Sequence, residues 1–159
     1  MNLVDIFNSL TSLGYLGAFI ISLLGTASIF LVTPYQMIIF GMGAVLNPLP
    51  LIILSALGAA IGEFVSYVVG YGGRKILKKK YKKYLAFGEK WFKKNGFLTV
   101  MIFAATPLPD DVVGLIAGFE EYDKKKYLLG CFIGKLIITA IIVFAGRYSI
   151  EAVLNYVGM

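Results

Sequence analysis

Apolar positions along the chain gather into four long blocks, residues 13–46, 49–71, 97–119 and 127–146, separated by short polar or basic stretches. Each block reads as membrane-embedded helix. A helix rising ~1.5 Å per residue needs roughly 20 residues to cross a hydrocarbon core of about 30 Å. Blocks 49–71 and 127–146 meet that requirement without interruption and are the two predicted crossings. The other two are broken in the middle, one at Thr33-Pro34 and one at Thr106-Pro107-Leu108-Pro109-Asp110-Asp111. Two prolines so close together, followed by two carboxylates, do not fit the interior of a straight lipid-facing helix. The legs on either side, 97–105 and 112–119, are about 12–14 Å long by the same rise and reach only halfway across. The pattern therefore predicts a re-entrant hairpin with an irregular tip near the midplane, where protein or a water-filled cavity satisfies the free backbone groups. Thr33-Pro34 marks the tip of a second such hairpin, residues 22–46. A proline-kinked span is the alternative for both blocks.

Composition narrows the function classes. Hydrophobic residues make up 58% of the chain and charged residues 15%, which leaves too little polar surface for a water-soluble domain and excludes a nucleic-acid binder. The chain has no histidine and one cysteine, Cys131. The commonest general base and zinc ligand are thus absent, together with every Ser-His or Cys-His pairing, so neither an enzyme nor a bound cofactor or metal is expected. No Lys or Arg precedes the first apolar block, as a cleavable secretory signal would require, and the whole chain is read as mature.

Charge sets the topology. All 15 Lys and Arg residues follow position 73; ten lie between Arg74 and Lys94, and three form Lys124-Lys125-Lys126. The positive-inside rule makes both regions cytoplasmic, so the segment between them enters and leaves on one side, as a hairpin does. Residues 75–94 interleave lysines with Ile76, Leu77, Tyr81, Tyr84, Leu85, Phe87, Trp91 and Phe92, the pattern of an amphipathic helix on an anionic inner leaflet; a solvated basic loop is the alternative.

The halves resemble each other at an offset of about 73 residues, the signature of an internal repeat. Thr33-Pro34 aligns with Thr106-Pro107 and Gly41 with Gly114. After a one-residue gap, Gly58-x-x-x-Gly62-Glu63 aligns with Gly130-x-x-x-Gly134-Lys135, and Gly73-Arg74 aligns with Gly146-Arg147. The expected fold is an all-α integral membrane protein, an inverted repeat of re-entrant helical hairpin plus transmembrane helix joined by a cytoplasmic amphipathic helix. It forms one membrane domain over 1–159, with a first half at 1–73, a basic segment at 74–96, a second half at 97–148 and a C-terminal tail at 149–159.

Four ionisable residues fall at membrane depth. Glu63 and Lys135 lie within the two crossings, where an unpaired charge costs at least ~2.5–3.5 kcal/mol. They should face inward and, at related positions of the repeat, can pair; a purely structural ion pair is the competing reading. Asp110 and Asp111 sit at the second hairpin tip. Two adjacent carboxyls in a poorly solvated site favour proton uptake, which makes them transport or proton-binding candidates. The competing reading is that they cap the outgoing leg.

These residues resemble the DedA family and the wider VTT-domain, or SNARE-associated Golgi protein, superfamily. The resemblance covers about residues 24–148. It rests on Gly62-Glu63 followed by Gly70 and Gly73-Arg74, on Phe87-Gly88 and Asn95-Gly96-Phe97, and on Phe103-x-x-Thr106-Pro107 with Ala117-Gly118 beyond it. It implies two facing re-entrant hairpins with crossing helices, and lipid translocation: flipping of polyprenyl-phosphate carriers in bacteria, phospholipid scrambling in eukaryotes, with proton-motive-force dependence among bacterial members. The chain departs from the family pattern where arginines usually flank the second hairpin proline, at Ala104 and Asp110, and where an acid follows the first, at Gln36. An anion in place of a cation reverses the local potential, so phosphate binding at that hairpin does not carry over; Lys135, Arg74 and Arg147 are the remaining candidate phosphate contacts.

The function expected is a multi-pass transporter in a prokaryotic plasma membrane, moving lipid or lipid-phosphate as flippase or scramblase, with protons bound at the hairpin aspartates. Its partners are membrane lipids and protons or cations, and its small size is compatible with a homodimer. The alternatives are a proton- or sodium-coupled exporter of a small cation and a non-transporting membrane organiser that anchors partners through residues 75–94.

Overall fold

In a computed structural model the described residues are 13–28, 35–106 and 110–157; within them, the side chains of 74–91, of Lys93 and of several residues near the C-terminus lie outside the description. The breaks expected at Pro34, Pro107 and Pro109 fall outside the described residues. Every described element is helical: α1 Tyr15–Ala27, α2 Tyr35–Val45, α3 Pro48–Ala104, α4 Asp110–Phe119 and α5 Lys124–Val157.

Local chemistry explains where these helices begin. Gly14, before α1, has φ 57°, a backbone state open to a residue without a Cβ. Helix α3 starts on Pro48, whose missing N–H is no loss in a first turn, and the Asn47 side chain accepts the Leu49 N–H at 3.2 Å. Asp123 does the same for α5, accepting the Lys126 N–H at 2.8 Å. Each long crossing thus opens with a side-chain cap.

Helix α3 has 57 residues and would extend ~85 Å if straight, about twice the full thickness of a bilayer. It is not straight. Glu63 and Ala104 line one small cavity, and Tyr67 and Phe92 share one core cluster, so the axis turns back on itself between Tyr67 and Phe92. The basic stretch expected to be a separate surface helix is continuous in its helical backbone with the segments on both sides. Two stretches, Pro48–Gly73 and Lys124–Ser149, are long and apolar enough to cross a membrane. They run antiparallel: Tyr67 meets Tyr127 with ring centroids 5.0 Å apart while Glu63 meets Lys135 at 3.0 Å, so numbers fall along one helix as they rise along the other. Helices α1, α2 and α4, of 13, 11 and 10 residues, reach ~15–20 Å, about half the hydrocarbon core.

Glycine decides which helices touch. A Cβ on Gly58 or Gly62 would overlap the α1 carbonyls of Phe19 or Leu23. A Cβ on Gly134 would overlap the Met101 carbonyl, and Gly130 faces Val100, which seats the arm Lys94–Ala104 against α5 in the same manner. The outgoing legs cross over. Helix α2 packs on α5, where Gly43 meets the backbone of Val143 and Gly146 that of Phe40; α4 packs on α3, where Gly118 meets the backbone of Tyr67 and Gly70 that of Leu115. Each half therefore lends its second leg to the crossing of the other half. Gly58 and Gly62 match Gly130 and Gly134 as the sequence spacing predicts. The other contact pairs are Gly43 with Gly118 and Gly70 with Gly146, whereas Gly41 faces open space. The register of the repeat therefore shifts within the crossings themselves, between Gly62 and Gly70 on α3 and between Gly134 and Gly146 on α5.

Buried polar residues are gathered inside among apolar ones, and large apolar side chains cover the outside. On α3 the exposed positions Leu49, Ile53, Leu57, Ile61, Val65 and Val68 repeat every three or four residues, while Ser55, Glu63 and Ser66 are buried. That inversion suits a chain whose solvent is lipid, where close approach through small residues replaces a hydrophobic driving force.

Candidate functional site

The buried stripe of α3 carries Glu63 and, one turn on, Ser66. The buried stripe of α5 carries Tyr127, Cys131, Lys135 and Thr139 at four-residue spacing, one face of a helix. Because α4 packs on α3 through Gly118, its first turn, Asp110 and Asp111, is delivered to the same place. Three chain segments that are remote in sequence thereby meet at one point.

Lys135 lies at its centre. Its Nζ is 3.0 Å from Oε1 of Glu63 and donates a hydrogen bond to Oδ2 of Asp110. Glu63 and Lys135 are almost wholly buried, and Asp110 is partly exposed. The contact between Lys135 and Glu63 is an ion pair without the directionality of a hydrogen bond: among the described residues neither carboxylate oxygen of Glu63 has a hydrogen-bond partner. Asp111 turns to Ser66, whose hydroxyl donates to Oδ1 at 2.5 Å. The Tyr127 hydroxyl donates to the backbone carbonyl of Glu63 at 3.3 Å. Tyr35, first residue of α2, lies within electrostatic reach of Lys135, Glu63 and Asp110, with its ring seated over Gly25. Three carboxyl groups thus surround one ammonium. Between Glu63, Val100, Ala104, Asp110, Val113, Tyr127 and Cys131 there is no room for a water molecule.

Of the residues singled out in the sequence, Glu63, Lys135 and Asp110 are in direct contact, and Asp111 adjoins them through Ser66. Asp110 and Asp111 also occupy the first turn of α4, where the helix dipole favours a negative charge, so capping and clustering coincide. Arg147 is on the helix of Lys135 but ~18 Å further along it, outside the cluster. The side chain of Arg74 is outside the description. Ser66, Tyr127, Cys131 and Tyr35 were not foreseen. For three of them a signal existed, since Ser66 shares a helix face with Glu63, and Tyr127 and Cys131 share one with Lys135. Tyr35 had none, because its place depends on how α2 packs.

The model of one family, the VTT domain, matches residues 33–148. Two relatives align over most of their length. The chain is 27% identical over 137 residues to the uncharacterized protein MJ0201 of Methanocaldococcus jannaschii, covering 83% of each chain. It is 26% identical over 144 residues to the uncharacterized membrane protein YbfM of Bacillus subtilis, covering 84% of this chain and 89% of that one. No solved structure matches at a significant level.

Proposed function

The chain belongs to the VTT-domain (DedA) family of membrane proteins, and from that premise we propose that it moves a lipid or lipid-phosphate headgroup across the bilayer, using the Glu63–Lys135–Asp110 cluster as a proton-operated gate. The observation that carries this reading is one almost wholly buried ammonium held between two carboxyls, with a third alongside. Such an excess of buried negative charge is costly unless a proton is taken up, and a proton on Asp110 or Glu63 weakens the hold on Lys135. A freed ammonium is a phosphate ligand. Proton binding at the ion pair thus favours headgroup binding to Lys135, which is the coupling that a transporter needs.

The tight conformation is the occluded state in this reading, and opening separates α4 from the cluster. The two hairpins enter from opposite faces and return to them, and the acyl chains stay in the surrounding lipid while the headgroup passes. The protein resides in a prokaryotic plasma membrane with residues 74–96 cytoplasmic, and no catalytic step is assigned to it.

A second reading is favoured by the same charge count: three carboxyls around one ammonium also suit exchange of a small cation for protons. Reconstitution separates the two. Proteoliposomes containing the wild-type chain should move labelled phospholipid between leaflets, faster under an imposed pH gradient; E63Q and the D110N/D111N double variant should not. Lipid movement unaffected by these changes would remove the cluster from the mechanism. Cation flux without lipid movement would establish the exporter, and neither activity would leave an organiser.

A further inference from the structure

A second cavity, of about 590 Å³, opens where the arm Lys94–Ala104 meets the turn between α4 and α5. Its floor is aromatic. Phe92 and Tyr122 meet edge-to-face with ring centroids 5.4 Å apart, and Phe97 completes the surface. Gly96 is what lets Tyr122 lie there, since a Cβ at that position would come within 2.7 Å of its ring. The turn itself is set: Glu121 has φ 54°, and the carbonyl of Tyr122 accepts the Tyr67 hydroxyl at 2.6 Å from α3. The floor therefore exists before any ligand arrives.

Lys94, Asn95 and Lys126, all exposed, line the same cavity as Leu98, which is half exposed. The neighbouring lysines are not equivalent to these two. Lys124 lies over the Tyr71 ring, 5.4 Å from its centroid, and Lys125 does not line the cavity. The nearby Asp123 carboxylate accepts the Lys126 N–H at the start of α5, where the helix dipole offsets its charge. The cavity thus brings two ammonium groups and an amide together with aromatic rings and Leu98.

We propose that this cavity binds the phosphate-bearing headgroup of an anionic inner-leaflet lipid, with Lys94 and Lys126 holding the phosphate and the aromatic floor taking the start of the apolar tail. The placement on the inner leaflet rests on the orientation adopted above; the binding chemistry does not depend on transport. Two cations lining one cavity match a phosphate, and the aromatic rings beside them favour an amphiphile over a free anion. A zwitterionic headgroup brings its own cation and gains little from two lysines.

The test uses the full chain in phosphatidylcholine nanodiscs, titrated with dihexanoyl phosphatidic acid, with binding read by calorimetry and by the fluorescence of the single tryptophan, Trp91, next in sequence to Phe92. Saturable binding is expected, and K94Q/K126Q should weaken it about 30-fold, from the usual contribution of one lysine at an anionic membrane surface taken twice. K124Q/K125Q, of equal net charge, should change it by less than about twofold if only local contacts count. K94R/K126R should retain binding, which guards against a folding defect in the glutamine pair. Equal weakening by both glutamine pairs would reduce the site to diffuse attraction and overturn the proposal. So would inorganic phosphate binding as tightly as the lipid, which would make the ligand a free anion, or dihexanoyl phosphatidylcholine binding equally well. A chain that binds phosphatidic acid but moves no lipid would sink the transport reading and leave this site standing.

Discussion

The two halves of the molecule use glycine in the same places and charge in different ones. Gly58 and Gly62 admit α1 to the first crossing as Gly130 and Gly134 admit the arm Lys94–Ala104 to the second. Gly70 and Gly146 admit the borrowed legs in matching fashion. Where the halves meet, the first contributes Glu63 and the second Lys135; the leg of the first half begins on Tyr35 and that of the second on Asp110. A repeat that kept the same residue at both places would bring like charges together at its own symmetry axis. Divergence at those positions turns a repulsive centre into an ion pair, while the backbone contacts that hold the halves together stay shared. The packing is thus a property of the repeat, and the chemistry is a property of its asymmetry.

Substitutions at the charged centre should produce the largest effect. Replacing Lys135 with Met leaves Glu63 and Asp110 buried without their shared cation, and should destabilise the protein by about 3–5 kcal/mol. Adding Glu63→Gln should recover part of the loss, as thermal unfolding in detergent would record. A Lys135→Met protein that melts like wild type would mean that the asymmetric centre contributes nothing to folding.

The shared backbone contacts come next. Gly70→Ala and Gly146→Ala each push a methyl group into a facing carbonyl, at Leu115 and Phe40, and should each cost about 1–3 kcal/mol. Similar losses at the two sites would sharpen the equivalence of the halves, and a tolerated change at one of them would break it. Gly41→Ala serves as the control: the site is open and helical, so this change should stabilise by about 0.5–1 kcal/mol.

The smallest expected effect lies at the caps. Asn47→Ala and Asp123→Ala each remove one side-chain acceptor from the start of a crossing and should each lower stability by about 1 kcal/mol in the same unfolding experiment. Unequal losses would show that the two crossings enter the membrane interface differently.

Much of this architecture was written in local patterns. The crossings at 49–71 and 127–146 followed from apolar length, and the structure extends them only slightly, to Pro48–Gly73 and Lys124–Ser149. The inward-facing charges followed from the cost of exposing Glu63 and Lys135 to lipid, and their pairing followed from the spacing of the repeat. Periodicity and desolvation act along a single helix, so one sequence suffices to read them. Tertiary structure alone decided which helices touch. That α2 seats on α5 and α4 on α3, that Asp110 consequently shares Lys135 with Glu63, and that Tyr35 joins them from the far hairpin all depend on contacts between segments remote along the chain. Glycine permits close approach without naming a partner, because a missing side chain carries no direction. The partner is chosen only when every small face in the bundle must find another at once.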